Sequence, residues 1–445
     1  MRRNPGSFLI FVLFVSIVSR SAAQQDAPYR LTLRDAIGKG LQANLSVLVA
    51  DTQVQEAEGT RIRRLSAALF PRVRSQSYVN FQNRNLRAFG ISAPGFPSVV
   101  GPFSNFDFRV SADQNVFDLQ GYRSYKASED AVEASKLSYQ DARDLIIRAI
   151  AGLYLDAQSA SARADAAQTR VTDSQALYQL AKSKHDAGTA TGVDVLRAQV
   201  QLANDQQALL ATQNQYKQAL LALARNLGMS PGAPIELAEQ LRFETLNHPS
   251  AEVIVGSALL ARPDYLSLAT QHRQIVEQQQ ASHARYLPKL SLSGNYGGLG
   301  RSIGSVQGTY VVQGQIDFTV FDRDRSGEAQ ELASRLKRVD DQIADLRRGI
   351  EQDVRAALLN LQSTADQVAV AQQGQDLAER ELKLTQDRFQ SGVTNNIEVT
   401  TAQDELARAQ ENYILAVSSY MDAKFALARA AGGTEKNIDQ YLRNP

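Results

Sequence analysis

The stretches HDAGTATGVDVLRAQVQLANDQQ (His185–Gln207) and FQSGVTNNIEVTTAQDELARAQE (Phe389–Glu411) align without a gap, Gly188 on Gly392, at a separation of 204 positions. Each reads as the end of one helix, a glycine turn and the start of a second helix. Gly188 and Gly392 stand where an incoming helix needs a left-handed residue, which glycine adopts at least cost. Thr191 with Asp194, and Asn395 with Glu398, have the N-cap to N3 spacing of a reciprocal capping box. Thr189, Ala190, Val193, Val393 and Thr394 lie beside the glycines, and none is required for those caps.

Outward from the turns the match continues at the same offset. Phe117-Asp118 falls on Phe321-Asp322, Asp141 on Asp345, Ile146 on Ile350, Gln158-Ser159 on Gln362-Ser363, and ALARNLG (Ala222–Gly228) on ALARAAG (Ala426–Gly432). An internal repeat of this length governs the reading of everything else. No proline lies between Pro102 and Pro231, or between Pro288 and Pro445, and both intervals are rich in Ala, Leu, Gln, Arg and Glu. Those are good helix formers, so each interval is a helical hairpin turning at Gly188 or Gly392. The arm from Tyr122 to Ala187 would be a rod of roughly 100 Å at 1.5 Å per residue, far longer than a globular core needs. The return arms, Gly192 to Leu227 and Asn396 to Ala431, are a little over half as long. Further helices over Val47–Leu69 and Asp264–Leu287 can stack end to end with them and complete the rods.

Ahead of each hairpin the period changes from helical to alternating. In NFDFRVSADQNVFD (Asn105–Asp118), Phe106, Phe108, Val110 and Ala112 alternate with Asp107, Arg109, Ser111 and Asp113; in TYVVQGQIDFTVFD (Thr309–Asp322), Tyr310, Val312, Ile316, Phe318 and Val320 alternate with Gln313, Gln315, Asp317 and Thr319. Alternation marks strands with two unlike faces. Partner strands over Arg72–Gln82 and Pro288–Tyr296 give strand pairs within about 72–118 and 288–321, each joined by a glycine-bearing loop, with the first loop (from Arg84) much the longer. Two environments fit such strands, a soluble sheet on a core or an outer-membrane barrel between lipid and water. The helices are too long and too polar to cover a four-stranded sheet, which favours the barrel. Four strands cannot close a barrel alone, since the smallest bacterial examples have about 8, so several chains must share one.

The ends and the composition limit the rest. Arg2 and Arg3, an apolar run from Phe8 to Val18 and the small residues Ser21-Ala22-Ala23 have the layout of a secretory signal peptide over residues 1–23. Its removal takes three of the 48 Lys and Arg against 47 Asp and Glu, and a net charge near −2 gives no reason to expect nucleic acid. There is no cysteine, hence no disulfide framework or thiolate metal site. The four histidines, His185, His248, His272 and His283, lack metal-ligand spacing, and no acid, base and nucleophile converge, so neither an enzyme nor a cofactor is expected. GGLGRSIG (Gly297–Gly304) lacks the Lys-Ser/Thr of a phosphate loop and reads as a strand connection. FDRDR (Phe321–Arg325) reads as a strand-to-helix junction.

With the duplication, RPDYLSL (Arg262–Leu268) opening the second half, the prolines before each hairpin and the tips DAGTATGVDVLRAQ (Asp186–Gln199) and RFQSGVTNNIEVTTAQ (Arg388–Gln403), the chain resembles the TolC-type outer-membrane efflux proteins over nearly its whole length. The resemblance implies a mainly α protein in a homotrimer. Four strands per chain would build a shared twelve-stranded barrel in outer-membrane lipid, above a periplasmic α-barrel of duplicated hairpins. Residues 45–228 and 263–432 would be the two structural repeats, and 24–44, 229–262 and 433–445 an equatorial region. The tips at Gly188–Val193 and Gly392–Thr394 would meet a periplasmic adaptor joined to an inner-membrane pump, and the channel would conduct passively for efflux or type I secretion. Glu398 falls on the first of two acidic positions that line the family's entrance. The second falls on Thr401, which is not acidic, so any carboxylate ring of Glu398 with Asp194 is thin. At Asp194 and Glu398 the capping role and the entrance role both remain open. A secreted coiled-coil rod or adhesin is the alternative, and it leaves the paired strands at matching places unexplained.

Overall fold

The computed structural model describes residues 29–435, so the expected signal peptide over 1–23, residues 24–28 and residues 436–445 of the C-terminal tail lie outside the described residues. The chain runs β1 (Tyr29–Leu31), α1 (Leu33–Ala43), α2 (Leu45–Leu69), β2 (Arg72–Asn85), β3 (Val99–Phe117), α3 (Leu119–Asp186) and α4 (Gly192–Asn226). It continues through β4 (Ile235–Leu237), α5 (Ala251–Ala261), α6 (Pro263–Ala284), β5 (Lys289–Gly300), β6 (Gln307–Asp317), α7 (Asp324–Gln390) and α8 (Asn396–Ala431). The two hairpins and the two short stacking helices therefore stand where helical period and proline spacing place them. At 68 and 67 residues, α3 and α7 are each about 100 Å long.

The helices form a curtain. Nearer the strands α3 lies between α2 and α6, with α7 beyond α6; nearer the turns it lies between α4 and α8, with α7 beyond α8. Because α3 has neighbours on both sides, Ile147, Ile150, Ala151, Tyr154, Leu155 and Ala157 are all almost fully buried. In α7 the buried positions, Leu332, Val339, Ile350, Val354, Leu361 and Val368, keep to a narrow stripe, as expected of a helix packed on one side. The short helices do stack on the return arms. Gly40 of α1 lies against Ile150 and Leu227, where α4 ends and α2 begins. At the other join Arg262, 6% exposed, binds Asp264 with both Nε (3.1 Å) and Nη2 (2.7 Å) and Asp353 with Nη1 (3.0 Å). Arg429 of α8 meets Asp141 of α3 at 2.5 Å beside it. The RPD of RPDYLSL is thus the electrostatic joint between α6, α7 and α8. Around this level β1 pairs in parallel with β4. Glu239 accepts from the Leu33 amide at 3.0 Å and from the Tyr154 hydroxyl, tying α1 to α3.

The other sheet has order β2-β3-β5-β6, antiparallel throughout. Its register sets Val73 opposite Ala112, Val79 opposite Phe106, Val110 opposite Tyr296 and Tyr296 opposite Tyr310. Directly paired residues share a face, so these residues form one apolar face. It is open to the surroundings, Tyr296 by 70% and Val312 by 72%. On the other face Asp107 accepts from the Tyr78 hydroxyl and from Arg109, each at 2.7 Å, and Arg74 meets Asp113 at 2.7 Å. A sheet with charge inside and exposed aromatics outside is the reverse of a soluble sheet on a core, and it is the barrel pattern.

Two strand boundaries differ from the alternation. The first loop is shorter than the sequence indicates, because β3 begins at Val99 and β2 reaches Asn85; Val99 pairs with Asn85 and Val100 with Arg84 across a register shift after Gln82. Ladder hydrogen bonds there carry residues with no alternating pattern. Conversely β6 stops at Asp317, opposite Lys289 where β5 begins, so Phe318 and Val320 have no strand to pair with despite their alternation. The glycines of Gly297–Gly300 lie within β5, and the connection itself is 301–306. At the matched Phe-Asp pairs the strands hand over to helices: Asp118 Oδ1 accepts from the Gly121 amide at 2.8 Å and Asp322 Oδ1 from the Asp324 amide at 3.0 Å.

Candidate functional site

The two glycine turns come together at one end of the curtain. At the first, α3 ends with Gly188 at φ +76°; the Thr189 amide donates to the Lys184 carbonyl (2.8 Å) and the Gly188 amide to that of His185 (2.9 Å). At the second, Gly392 has φ +73°, the Val393 amide donates to the Arg388 carbonyl (2.9 Å) and the Gly392 amide to that of Phe389 (3.1 Å). Both are Schellman closures, for which a glycine at the left-handed position is the low-energy choice.

The outgoing helices are capped differently. Thr191 and Asp194 form the full box: the Asp194 amide donates to Thr191 Oγ1 (3.3 Å) and the Thr191 amide to Asp194 Oδ2 (3.1 Å). The Thr191 hydroxyl also donates to Asp194 Oδ2 at 2.7 Å. The hydroxyl first, with the Thr191 amide, holds the Asp194 carboxyl below the usual carboxylate range against the opposing effect of burial. At the second tip the expected reciprocal box is not formed. Asn395 caps by accepting from the Ile397 amide at 2.9 Å, and Glu398 lies 3.5 Å from Arg388 Nη1 across the hairpin. Asn395 takes the N2 amide in place of the Glu398 amide, and the Glu398 carboxylate turns to Arg388 and not back to the Asn395 amide. Both side chains of that pair are about half exposed (57% and 49%), and such surface pairs are worth about 0–1 kcal/mol.

The remaining tip residues fall as follows. Val193 and Val393 are exposed, by 53% and 68%. Gly188, Thr189, Gly392 and Thr401 are exposed, and Ala190 and Thr394 partly so. Thr189 is engaged in the turn after all, since its hydroxyl donates to the Lys184 carbonyl at 3.0 Å.

Two residues that spacing did not single out join the tips. Lys184 Nζ crosses to the second hairpin, reaching the Phe389 carbonyl at 2.5 Å and that of Gln390 at 3.3 Å, and sits 4.5 Å from the centre of the Phe389 ring. Those carbonyls close α7, so the lysine also neutralises the negative end of that helix. Asn396, fully buried, donates its amide to the Asp194 carbonyl at 3.1 Å. Beneath them Leu177, Leu382, Phe389, Val399 and Ala402 form a small apolar core shared by α3, α7 and α8. A signal existed in the repeat itself. Lys184 aligns with Arg388, and Asn396 with Gly192; the second mismatch is where one tip gains a side chain that the other lacks.

Residues 36–229 and 254–433 match the model of the outer membrane efflux protein family. The chain is 24% identical to the pyoverdine export outer membrane protein OpmQ of Pseudomonas aeruginosa, over 80% of this chain and 76% of that one. In fold it resembles the CmeC outer membrane channel of Campylobacter jejuni, with TM-score 0.75 at 18% identity over 92% of this chain and 89% of that one. It also resembles the outer membrane protein VceC of Vibrio cholerae, with TM-score 0.75 at 17% identity over 90% and 96%. The adhesin alternative falls away. With both long hairpins, the four-stranded sheet and the two tips inside the matched segments, the chain belongs to the outer membrane efflux protein family and is a non-enzymatic outer-membrane channel of an efflux system.

Proposed function

We propose that three copies of this chain close head to tail into one tube, and that its helical tips dock on a periplasmic adaptor that links it to an inner-membrane pump. The observation that carries this reading is a pair of matched free edges. One edge is formed by β2, α2 and α4, the other by β6 and α7. β2 and β6 each pair on one side only, and unpaired strand edges in lipid cost several kcal/mol per backbone group. Along the helices the edges carry apolar stripes: Leu196, Val200, Leu210 and Leu221 on α4, and Leu359, Val370, Leu377 and Leu384 on α7, all exposed. At the level of the β1–β4 pair, Leu45 and Leu48 of α2 face out on one edge, and Val253 and Leu260 of α5 on the other. One edge of a copy complements the other edge of the next, which is the heterologous geometry that closes a ring. Residues 29–44, 229–262 and 433–435 then form a collar around its waist.

In that ring every tip faces the periplasm, with Val193, Val393 and Ile397 as the exposed apolar contacts for an adaptor. Glu398 stands at the entrance, where three copies within about a Debye length, roughly 8 Å, add their fields. Conduction is passive, and the pump supplies the energy and chooses the cargo. Mass measurement in mild detergent tests the ring, and a stable monomer with full β content overturns it. For the tips, Thr189→Arg with Thr394→Arg should abolish export while assembly in the outer membrane persists; unimpaired export rules tip docking out.

A further inference from the structure

Away from the edges and the turns, one small polar cavity lies where α3, α4 and α8 meet. Asp173 and Ser174, Gln201 and Asp205, and Gln403 and Asp404 line it, with Leu382 and Leu406 beside them. Asp205 is only 7% exposed; its carboxylate accepts from the Ser174 hydroxyl, and Gln201 Nε2 lies 3.4 Å from its Oδ2. The same Gln201 Nε2 donates to Asp404 Oδ1 at 3.2 Å, so one amide spans carboxylates of both hairpins. Gln403 is 8% exposed, and neither its amide oxygen nor its amide nitrogen has a partner. Arg170 is the cation of the lining, and its Nε is unpartnered too. Three carboxylates against one guanidinium leave a formal charge of −2 around a buried, unsatisfied amide.

We propose that this cavity binds one small hard divalent cation, of the Ca2+ or Mg2+ kind, which clamps α8 of the second hairpin to α3 and α4 of the first. The donors it offers are oxygens: the Asp205 and Asp404 carboxylates, the Ser174 hydroxyl and Gln403 Oε1, the set such ions prefer. Among the described residues no three His, Asp or Glu side chains converge to chelate a metal fully, so water completes the shell. Ser174 lies about 20 Å of helix from Gly188 at 1.5 Å per residue. The clamp thus sits behind the tips, where it sets how freely one hairpin moves against the other.

The test is calorimetric titration of chelator-stripped, detergent-solubilised full-length protein with CaCl2 and MgCl2. A Glu398→Gln background removes the Glu398 carboxylates as a competing site. The expected result is one ion per chain, with affinity at least tenfold weaker in Asp205→Asn and several-fold weaker in Gln403→Leu, which keeps the charge and removes the amide oxygen. Hydrogen exchange around 170–177 and 400–406 should slow on ion binding. Isotherms of Asp205→Asn equal to the parent's overturn the proposal and leave a cavity filled by water alone. Should Asp205→Asn fail to assemble, undiminished binding by Gln403→Leu overturns it equally.

Discussion

The two tips share a spacing and a turn but not a cap. Thr191 and Asp194 close a reciprocal box, whereas Asn395 and Glu398, at the same offsets, do not. The difference lies in which donor the capping side chain takes. A threonine hydroxyl accepts from the N3 amide and pulls the N3 carboxylate toward its own backbone; an asparagine amide oxygen accepts from the N2 amide and leaves Glu398 to Arg388. Spacing gives the opportunity for a capping box, and the chemistry of the first residue decides whether it forms. A second asymmetry follows at the basic residue one turn earlier, for Lys184 crosses to its neighbour hairpin while Arg388 stays in its own.

The largest expected effect breaks the link between the tips. Asn396→Ala removes a second donor from the Asp194 carbonyl, which also serves its own helix; the lost bond costs about 0.5–1.5 kcal/mol, and the space emptied at a fully buried position adds to that. Hydrogen exchange should quicken at both tips, although the substitution is in one. Exchange confined to the second tip would show that the hairpins are independent. Next, Gly188→Ala and Gly392→Ala should each cost about 1–2 kcal/mol of local stability, because an L residue is forced left-handed. The two values should agree, and a large inequality would mean that the turns are not equivalent.

Thr191→Ala should then cost about 1 kcal/mol at the first tip alone. The box also carries a pH signature. The Asp194 carboxyl is held low in the folded state, so its contribution is fully present above the unfolded value of about 3.9 and fades as pH falls through the lower folded value. Acidification below about pH 4 should loosen the first tip's helix start, and Thr191→Ala should abolish that step; the second, capped by an amide, has no such carboxylate to lose. The smallest structural effect belongs to Glu398→Gln, at most about 1 kcal/mol for an exposed pair. Its readout is functional: assembly and tip exchange unchanged, cation selectivity in planar bilayers reduced. Unchanged selectivity would leave Glu398 as a partner of Arg388 and nothing more.

Much of this was legible in one dimension. The 204-residue offset, the proline-free intervals and the glycine turns determined two long hairpins, since helix propensity and left-handed glycine act locally. The alternation in 105–118 and 309–322 determined strands with unlike faces for the same reason. Local rules also explain where the reading fell short. Val99 and Val100 joined β3 and Phe318 and Val320 were left out of β6 because a ladder extends only as far as its partner strand runs. At the tips the turns and the Thr191–Asp194 box were readable from neighbours three or four residues apart. The reach of Lys184 across 205 positions to Phe389, and that of Asn396 across 202 to Asp194, was not. Those contacts exist because the curtain lays the two turns side by side, and the same packing left α4 and α7, not α3, with apolar faces to share. The sequence by itself determined the pieces and their turns, through interactions that close within one helical turn or one pleat. Only the tertiary structure decided which hairpin faces its neighbour, which charges it buries and which edges stay open, because those depend on distances that no local spacing encodes.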